Sequence, residues 1–281
     1  MSTEAVDEGP LTSFRDKLAA SCKARSSHVC VGIDPDMSAL PEGFNADPDD
    51  LLRFVTAIIE ATADVAAAYK PNSAFFEVLG APGMEVLQAV IAAVPADIPV
   101  ILDAKRGDVG NTAMRYAQAA FDVLGASAVT VNPYLGADSL RPFLNRADRG
   151  VFILCRTSNP GAADLQDLHL DDGRPLYRRV ARLAKQWNIL GNIGLVAGAT
   201  WPEELAVIRE DCPGMPLLIP GVGAQGGDIA AAIKAVGGKG ADQPFLLSSS
   251  RAIVNASSGQ DFQHAAANKA SELRDRIAAA L

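Results

Sequence analysis

The sequence predicts an α/β fold, a (βα)8 TIM barrel built as a single domain. Three observations predict it. Eight short apolar runs recur along the chain, amphipathic stretches separate them, and no linker, Pro/Ser tract or charge block breaks the rhythm. The length of 281 residues also suits a barrel, which takes roughly 250 residues as one unit.

In chain order, residues 1–10 are polar and acidic and read as a disordered tail, leaving 11–281 as the barrel domain. The strand candidates are 28–34 (HVCVGID), 68–73 (AYKPNS), 100–105 (VILDAK) and 128–133 (AVTVNP), then 151–157 (VFILCRT), 193–199 (IGLVAGA), 216–222 (PLLIPGV) and 245–250 (FLLSSS). Most are near-continuous apolar runs without alternation, the pattern of parallel strands buried on both faces. Helices are expected at 49–67, 83–94, 111–124, 176–186, 202–211 and 228–236, and 262–281 closes the chain. Residues 161–175 (GAADLQDLHLDDGRP) form a polar loop after the fifth strand, longer than the usual ~2–6 residues. It falls on the C-terminal face, where barrels build their active sites, so it is a lid candidate.

Composition removes several classes of function. The formal charge is −8, with 49% apolar, 21% charged and 6% aromatic residues. No basic stripe offers itself to a nucleic acid. An anionic small molecule would need a local positive island. No apolar run approaches ~18 residues, so no membrane span or membrane partner is expected. The acidic start is unlike a signal peptide, which points to the cytoplasm. Cys22, Cys30, Cys155 and Cys212 show no CxxC spacing and read as free, mostly buried thiols. None of His28, His169 and His264 pairs with a Cys, Asp or Glu at ligand spacing, so no metal site is expected. No GxSxG elbow appears either.

Charged residues gather at the ends of the candidate strands. Asp34 ends the first, Lys70 lies in the second, Asp103 and Lys105 end the third, and Arg251 follows the eighth. Residues two apart on a strand share a face and lie ~6–7 Å apart. Asp103 and Lys105 should therefore project together into the barrel mouth. Such charges are costly to bury unless they form a network, and Asp34 and Lys70 extend the alternation of sign. The glycine-rich 220–228 (PGVGAQGGD) and 248–253 (SSSRAI) lead into helices after the seventh and eighth strands. Barrels often bind phosphate there through helix N-termini, and Arg251 is placed for a bidentate contact.

These residues resemble a known family, the orotidine 5′-phosphate decarboxylases, in their longer bacterial branch. The resemblance runs from about Val29 to Ile253. It rests on DAKRGDVGNT (103–112), which fits the family's D-x-K-x-x-D-x-x-x-T signature in full. GIDPD (32–36), YKPNSAFFE (69–77), RTSNPGA (156–162), PGVGAQGGD and SSSRAI support it, in family order. A lone DxKxxD would be weaker, because related sugar-phosphate barrels share it.

The resemblance implies a cofactor-free decarboxylation of orotidine 5′-phosphate to uridine 5′-phosphate (UMP) and CO2. Lys105 would protonate C6 of the pyrimidine, and Asp103 would face the leaving carboxylate. Lys70 would bridge the carboxylates and touch the ribose, oriented by Asp34. Asp108 and Thr112 would reach into the neighbouring subunit's site, making the enzyme a homodimer with shared active sites. Gln225 would span phosphate and pyrimidine, with Gly226 beside it in the turn. Ser158 would read the pyrimidine's polar edge, and Pro220 would line the apolar wall. The turn here is short, so 161–175 is the candidate for closure over the phosphate.

Several residues carry plainer expectations. Arg106 reads as an ion pair at a surface or interface. Asn72 and Glu77 shape the loop after the second strand, Phe75 and Phe76 pack, and so do Trp187 and Trp201. His169 is a loop residue. Asn132 and Tyr134 face either the mouth or a partner. Two other functions fit the same scaffold: a Mg²⁺-dependent sugar-phosphate aldolase or decarboxylase, and a nucleotide binder without turnover.

Overall fold

The computed structural model describes residues 13–222, 227–237 and 244–281. Residues 1–10, read as a tail, lie outside them. In chain order the elements are α1 (Phe14–Arg25), β1 (Val29–Ile33), α2 (Pro48–Thr62), β2 (Ala68–Pro71), α3 (Ala74–Glu77), α4 (Gly80–Ala93), β3 (Ile101–Arg106), α5 (Gly110–Gln118), β4 (Ala128–Val131) and α6 (Ala137–Leu144). There follow β5 (Gly150–Arg156), α7 (Leu176–Trp187), β6 (Ile193–Ala197), α8 (Pro202–Asp211), β7 (Leu217–Pro220), α9 (Ile229–Ala235), β8 (Phe245–Ser249), α10 (Arg251–Val254) and α11 (Phe262–Ala280).

Eight parallel strands run in the order β2-β1-β8-β7-β6-β5-β4-β3. Two bridges, Tyr69 to Val100 and Asn72 to Asp103, bring β2 against β3 and close the ring. This is the barrel that the apolar runs predict. Most of the helices cover its outside and bury apolar residues against the strands. In α2, Asp47 caps the first turn, Pro48 presets its backbone, and Leu51, Phe54, Val55, Ile58 and Ile59 face inward.

Three helices were not expected, and one of them, α3, is a single turn over Ala74–Glu77. α6 is short and carries Pro142 inside it. α1 starts at its N-cap Ser13, whose hydroxyl accepts from the Asp16 N–H, and it turns only Phe14, Leu18 and Ser21 inward. Phe14 and Leu18 join a second core cluster inside the lower barrel, with Cys30, Ala68, Ile101, Ala128, Phe152, Leu218 and Leu246. Phe14 meets Phe152 edge to face, with ring centroids 5.8 Å apart. These rings need glycine around them. A Cβ on Gly150 would come within 2.5 Å of the Phe14 ring, and one on Gly194 within 2.5 Å of the Phe152 ring.

Cys30, Cys155 and Cys212 are buried free thiols and Cys22 is half-buried, as expected. Burial pushes the Cys22 and Cys30 thiols up to about 12, so neither is a nucleophile at neutral pH. Among the described residues, no helix is long and apolar enough to cross a membrane.

Candidate active site

The site forms at the C-terminal ends of the strands. β2 delivers Lys70 and β3 delivers Asp103, with side chains only 8% and 12% exposed. Lys70 Nζ lies 2.9 Å from Asp103 Oδ2. Lys105 Nζ lies 2.7 Å from Asp103 Oδ1, and the Lys105 side chain is 49% exposed. One carboxylate therefore bridges two ammoniums, one sunk in the barrel and one reaching toward solvent.

Electrostatics keep this row charged. Burial works to raise the Asp103 carboxyl, but Lys70 and then Lys105 overcome it and hold it well below the usual carboxylate range. Burial works to lower Lys70, but Asp103 and then Asp34 overcome it and hold Lys70 above its ordinary value.

Asp103 and Lys105 meet as expected, but strand alternation is only part of the reason. β3 loses register with β4 between Leu102 and Arg106. Lys105 takes a φ of 49°, a left-handed conformation that costs an L-residue about 1–2 kcal/mol. Thr130 on β4 holds this irregular stretch. Its Oγ1 accepts from the N–H groups of Ala104, at 3.0 Å, and Lys105, at 2.9 Å. It also donates to Asp103 Oδ1 at 2.9 Å. Sequence reasoning missed Thr130, whose one signal is a lone hydroxyl in a buried apolar run.

Asp34 follows β1 and is half-buried. It forms no ion pair among the described residues, and its Oδ1 is buried without a hydrogen-bond partner. Ser250 Oγ, just past β8, is likewise buried and unpartnered. Ser250 packs directly on β1, where a Cβ on Gly32 would come within 2.7 Å of its own Cβ. One corner of the mouth thus carries two polar atoms open to a ligand.

Arg251 opens α10 and is exposed. Its side chain has no ion-pair partner among the described residues, and no side chain caps the start of α10. The N-terminus of α9, expected to help bind an anion, is already occupied. Asp228 Oδ1 accepts from the Ala230 N–H at 2.9 Å and the Ala231 N–H at 3.3 Å. Pro220 ends β7 and Ser158 follows β5, both half-buried at the mouth. Gln225 and Gly226 lie outside the described residues.

Asp108 and Thr112 stand apart from the row. Asp108 Oδ1 accepts from the Val109 N–H at 2.7 Å, and Thr112 is exposed at the start of α5. Val109, Met114, Tyr134 and Leu135 are exposed apolar or aromatic neighbours in sequence and after β4.

The loop 161–175 is tied down. The Gln166 side-chain carbonyl accepts from the Thr157 N–H at 2.8 Å, and its amide donates to Thr157 Oγ1 at 2.9 Å. Asp167 pairs with Arg156 at 2.9 Å, and Arg156 is only 1% exposed. The Arg156 guanidinium lies 4.6 Å from the Trp201 ring centroid, so Trp201 is a platform for a protein cation. Arg156 is a second residue whose role the sequence did not disclose.

The other side chains singled out in the sequence make the following contacts. Arg106 pairs with Glu77 and lies over the Tyr116 ring. Phe76 is fully buried, and Trp187 packs on the core. Asn72 Oδ1 accepts from the Ala74 N–H and Asn132 Oδ1 from the Tyr134 N–H, so both shape turns. His169 sits in the loop, bridged to Pro175. Among the described residues, no three His, Cys, Asp or Glu side chains are arranged to hold a metal ion.

Residues 27–265 match the model of the orotidine 5′-phosphate decarboxylase / HUMPS family. An orotidine 5′-phosphate decarboxylase of Herpetosiphon aurantiacus is 51% identical over 254 residues, 90% of this chain and 93% of that protein. The structure of Leishmania donovani OMP decarboxylase superposes with a TM-score of 0.83 at 42% identity, covering 95% of this chain and 98% of that one. That of Leishmania donovani UMP synthase gives 0.85 at 44% identity and covers 96% of this chain, which spans 56% of that longer protein.

Proposed function

The chain belongs to the orotidine 5′-phosphate decarboxylase family and converts orotidine 5′-phosphate to UMP and CO2; we propose that the Lys70–Asp103–Lys105 row carries out that reaction. The observation that carries the assignment is the shared carboxylate, 2.9 Å from a buried ammonium and 2.7 Å from a reaching one.

Breaking the bond between C6 and the carboxylate releases CO2 and leaves an electron pair at C6 in the ring plane. The π system cannot delocalise that pair. The protein must then supply electrostatic stabilisation and a proton. Lys105 suits both tasks, because its ammonium is half-exposed at the mouth and held by Asp103. It stabilises the developing charge and then protonates C6, becoming a neutral amine that regains a proton from solvent. Asp103 faces the departing carboxylate, and their repulsion is relieved as CO2 leaves. Lys70, locked by Asp103, contacts the ribose with Asp34, whose free Oδ1 accepts from a hydroxyl.

Arg251 takes the phosphate, with Gln225 and Gly226 from the glycine-rich turn. Ser158 reads the pyrimidine edge, and Pro220 walls the reacting carbon. The positive island that an acidic protein needs for this substrate is then Lys70, Lys105 and Arg251. Asp108 and Thr112 make no bond to the row of their own chain, and the exposed apolar residues Val109 and Met114 lie beside them in sequence. We read them as completing the site of a second copy in a homodimer. The protein acts in the cytoplasm, at the last step of UMP synthesis. The test follows the absorbance of orotidine 5′-phosphate with purified protein, and absence of turnover overturns the reading.

A further inference from the structure

Thr130 is 1% exposed and is the one hydroxyl within β4. Its bonding capacity is saturated, since a hydroxyl offers one donor and two acceptor lone pairs. Both lone pairs go to the N–H groups of Ala104 and Lys105, where β3 departs from its ladder with β4. Without that acceptor, both N–H groups would lose their hydrogen-bond partner at the point where β3 leaves its ladder. The donor goes to Asp103 Oδ1, the same oxygen that receives Lys105 Nζ. One hydroxyl thus fixes both the left-handed backbone from which Lys105 departs and the carboxylate at which its ammonium arrives. A strained backbone persists only where its surroundings over-determine it, and here the hydroxyl does so.

We infer that Thr130 is a positioning residue: its hydroxyl holds the β3 irregularity and the Asp103 carboxylate so that the Lys105 ammonium is presented to the reacting carbon. The inference rests on Lys105 being the proton donor. A merely structural Thr130 would affect melting alone. A positioning Thr130 affects the chemical step, because misplacing a reacting group by about 1 Å can cost roughly 100-fold in rate.

The test compares two pairs that differ at the hydroxyl, wild type against Thr130→Val and Thr130→Ser against Thr130→Ala. In each pair the hydroxyl-bearing member is expected to show kcat about 100-fold higher, with KM and UMP affinity alike. If Thr130→Val does not fold, the Ser/Ala pair gives the same answer. In a Lys105→Ala background, Thr130→Val should cause no further loss of turnover, because the group being positioned is gone. Equal kcat within the pairs overturns the inference while leaving Lys105 in place, provided that Lys105→Ala alone is inactive. Near-normal turnover of Lys105→Ala overturns the donor assignment, and with it the role of Thr130.

Discussion

Lys70 Nζ and Asp103 Oδ2 sit 2.9 Å apart with both side chains withdrawn from solvent. Removing either charge leaves the other buried. Asp103 titrates below its unfolded value of about 3.9, so its contribution to stability is present above pH ~4 and is lost as pH falls further. Lys70 titrates above about 10.4, so its contribution is present below that pH and is lost as pH rises past it. Asp103→Asn should destabilise the fold at pH 7 by on the order of 3 kcal/mol. In denaturant melts the gap to wild type should narrow below pH ~4, and a gap that ignores pH would refute a charge-based role.

Lys105→Ala removes the proton donor and leaves the phosphate-binding groups untouched. Turnover should fall by roughly 1,000-fold or more, while UMP binding, followed by calorimetry, persists. Near-normal turnover would take Lys105 out of the mechanism.

Asp108 can be tested by complementation. Asp103→Ala and Asp108→Ala should each be inactive as homodimers. After subunit exchange, a hybrid dimer carries both lesions in one site and none in the other. Random mixing makes half the dimers hybrids, so activity should return to about one quarter of wild type. No recovery, with exchange verified by mass, would argue against shared sites.

Metal dependence separates the decarboxylase from a Mg²⁺-assisted sugar-phosphate enzyme on the same scaffold. Activity should survive exhaustive chelation. Loss that added Mg²⁺ restores would favour the metal-assisted chemistry.

The lower barrel makes a purely structural prediction. A Cβ on Gly194 would meet the Phe152 ring at 2.5 Å and the Pro216 carbonyl oxygen at 2.9 Å. Gly194→Ala should destabilise by about 1–3 kcal/mol, read as a lower Tm, with kcat unchanged because the mouth lies at the other end.

The barrel was legible because strands buried on both faces write themselves as apolar runs, and all eight runs became strands. α1 was hidden because FRDKLAASCKAR buries only three residues, too few to mark a stripe. α6 was hidden because it is short and contains Pro142. Asp103 and Lys105 were legible from their spacing. The departure of β3 from regular pairing was not, because no Gly or Pro falls within ILDAKR to mark it. Thr130 acts through a single oxygen, and a threonine in a strand is unremarkable on propensity alone. The tethering of 161–175 depends on Arg156 and Thr157 meeting Asp167 and Gln166, contacts that only the folded chain creates.

Phe14 has a consequence for how the molecule is made. The ribosome delivers α1 before any strand, yet the Phe14 ring rests on Phe152 and over Gly150, which emerge more than a hundred residues later. Its other neighbours in that cluster include Leu246 of the last strand. α1 is therefore seated partly against the last strand, and through most of the barrel's synthesis two large apolar side chains wait without a berth.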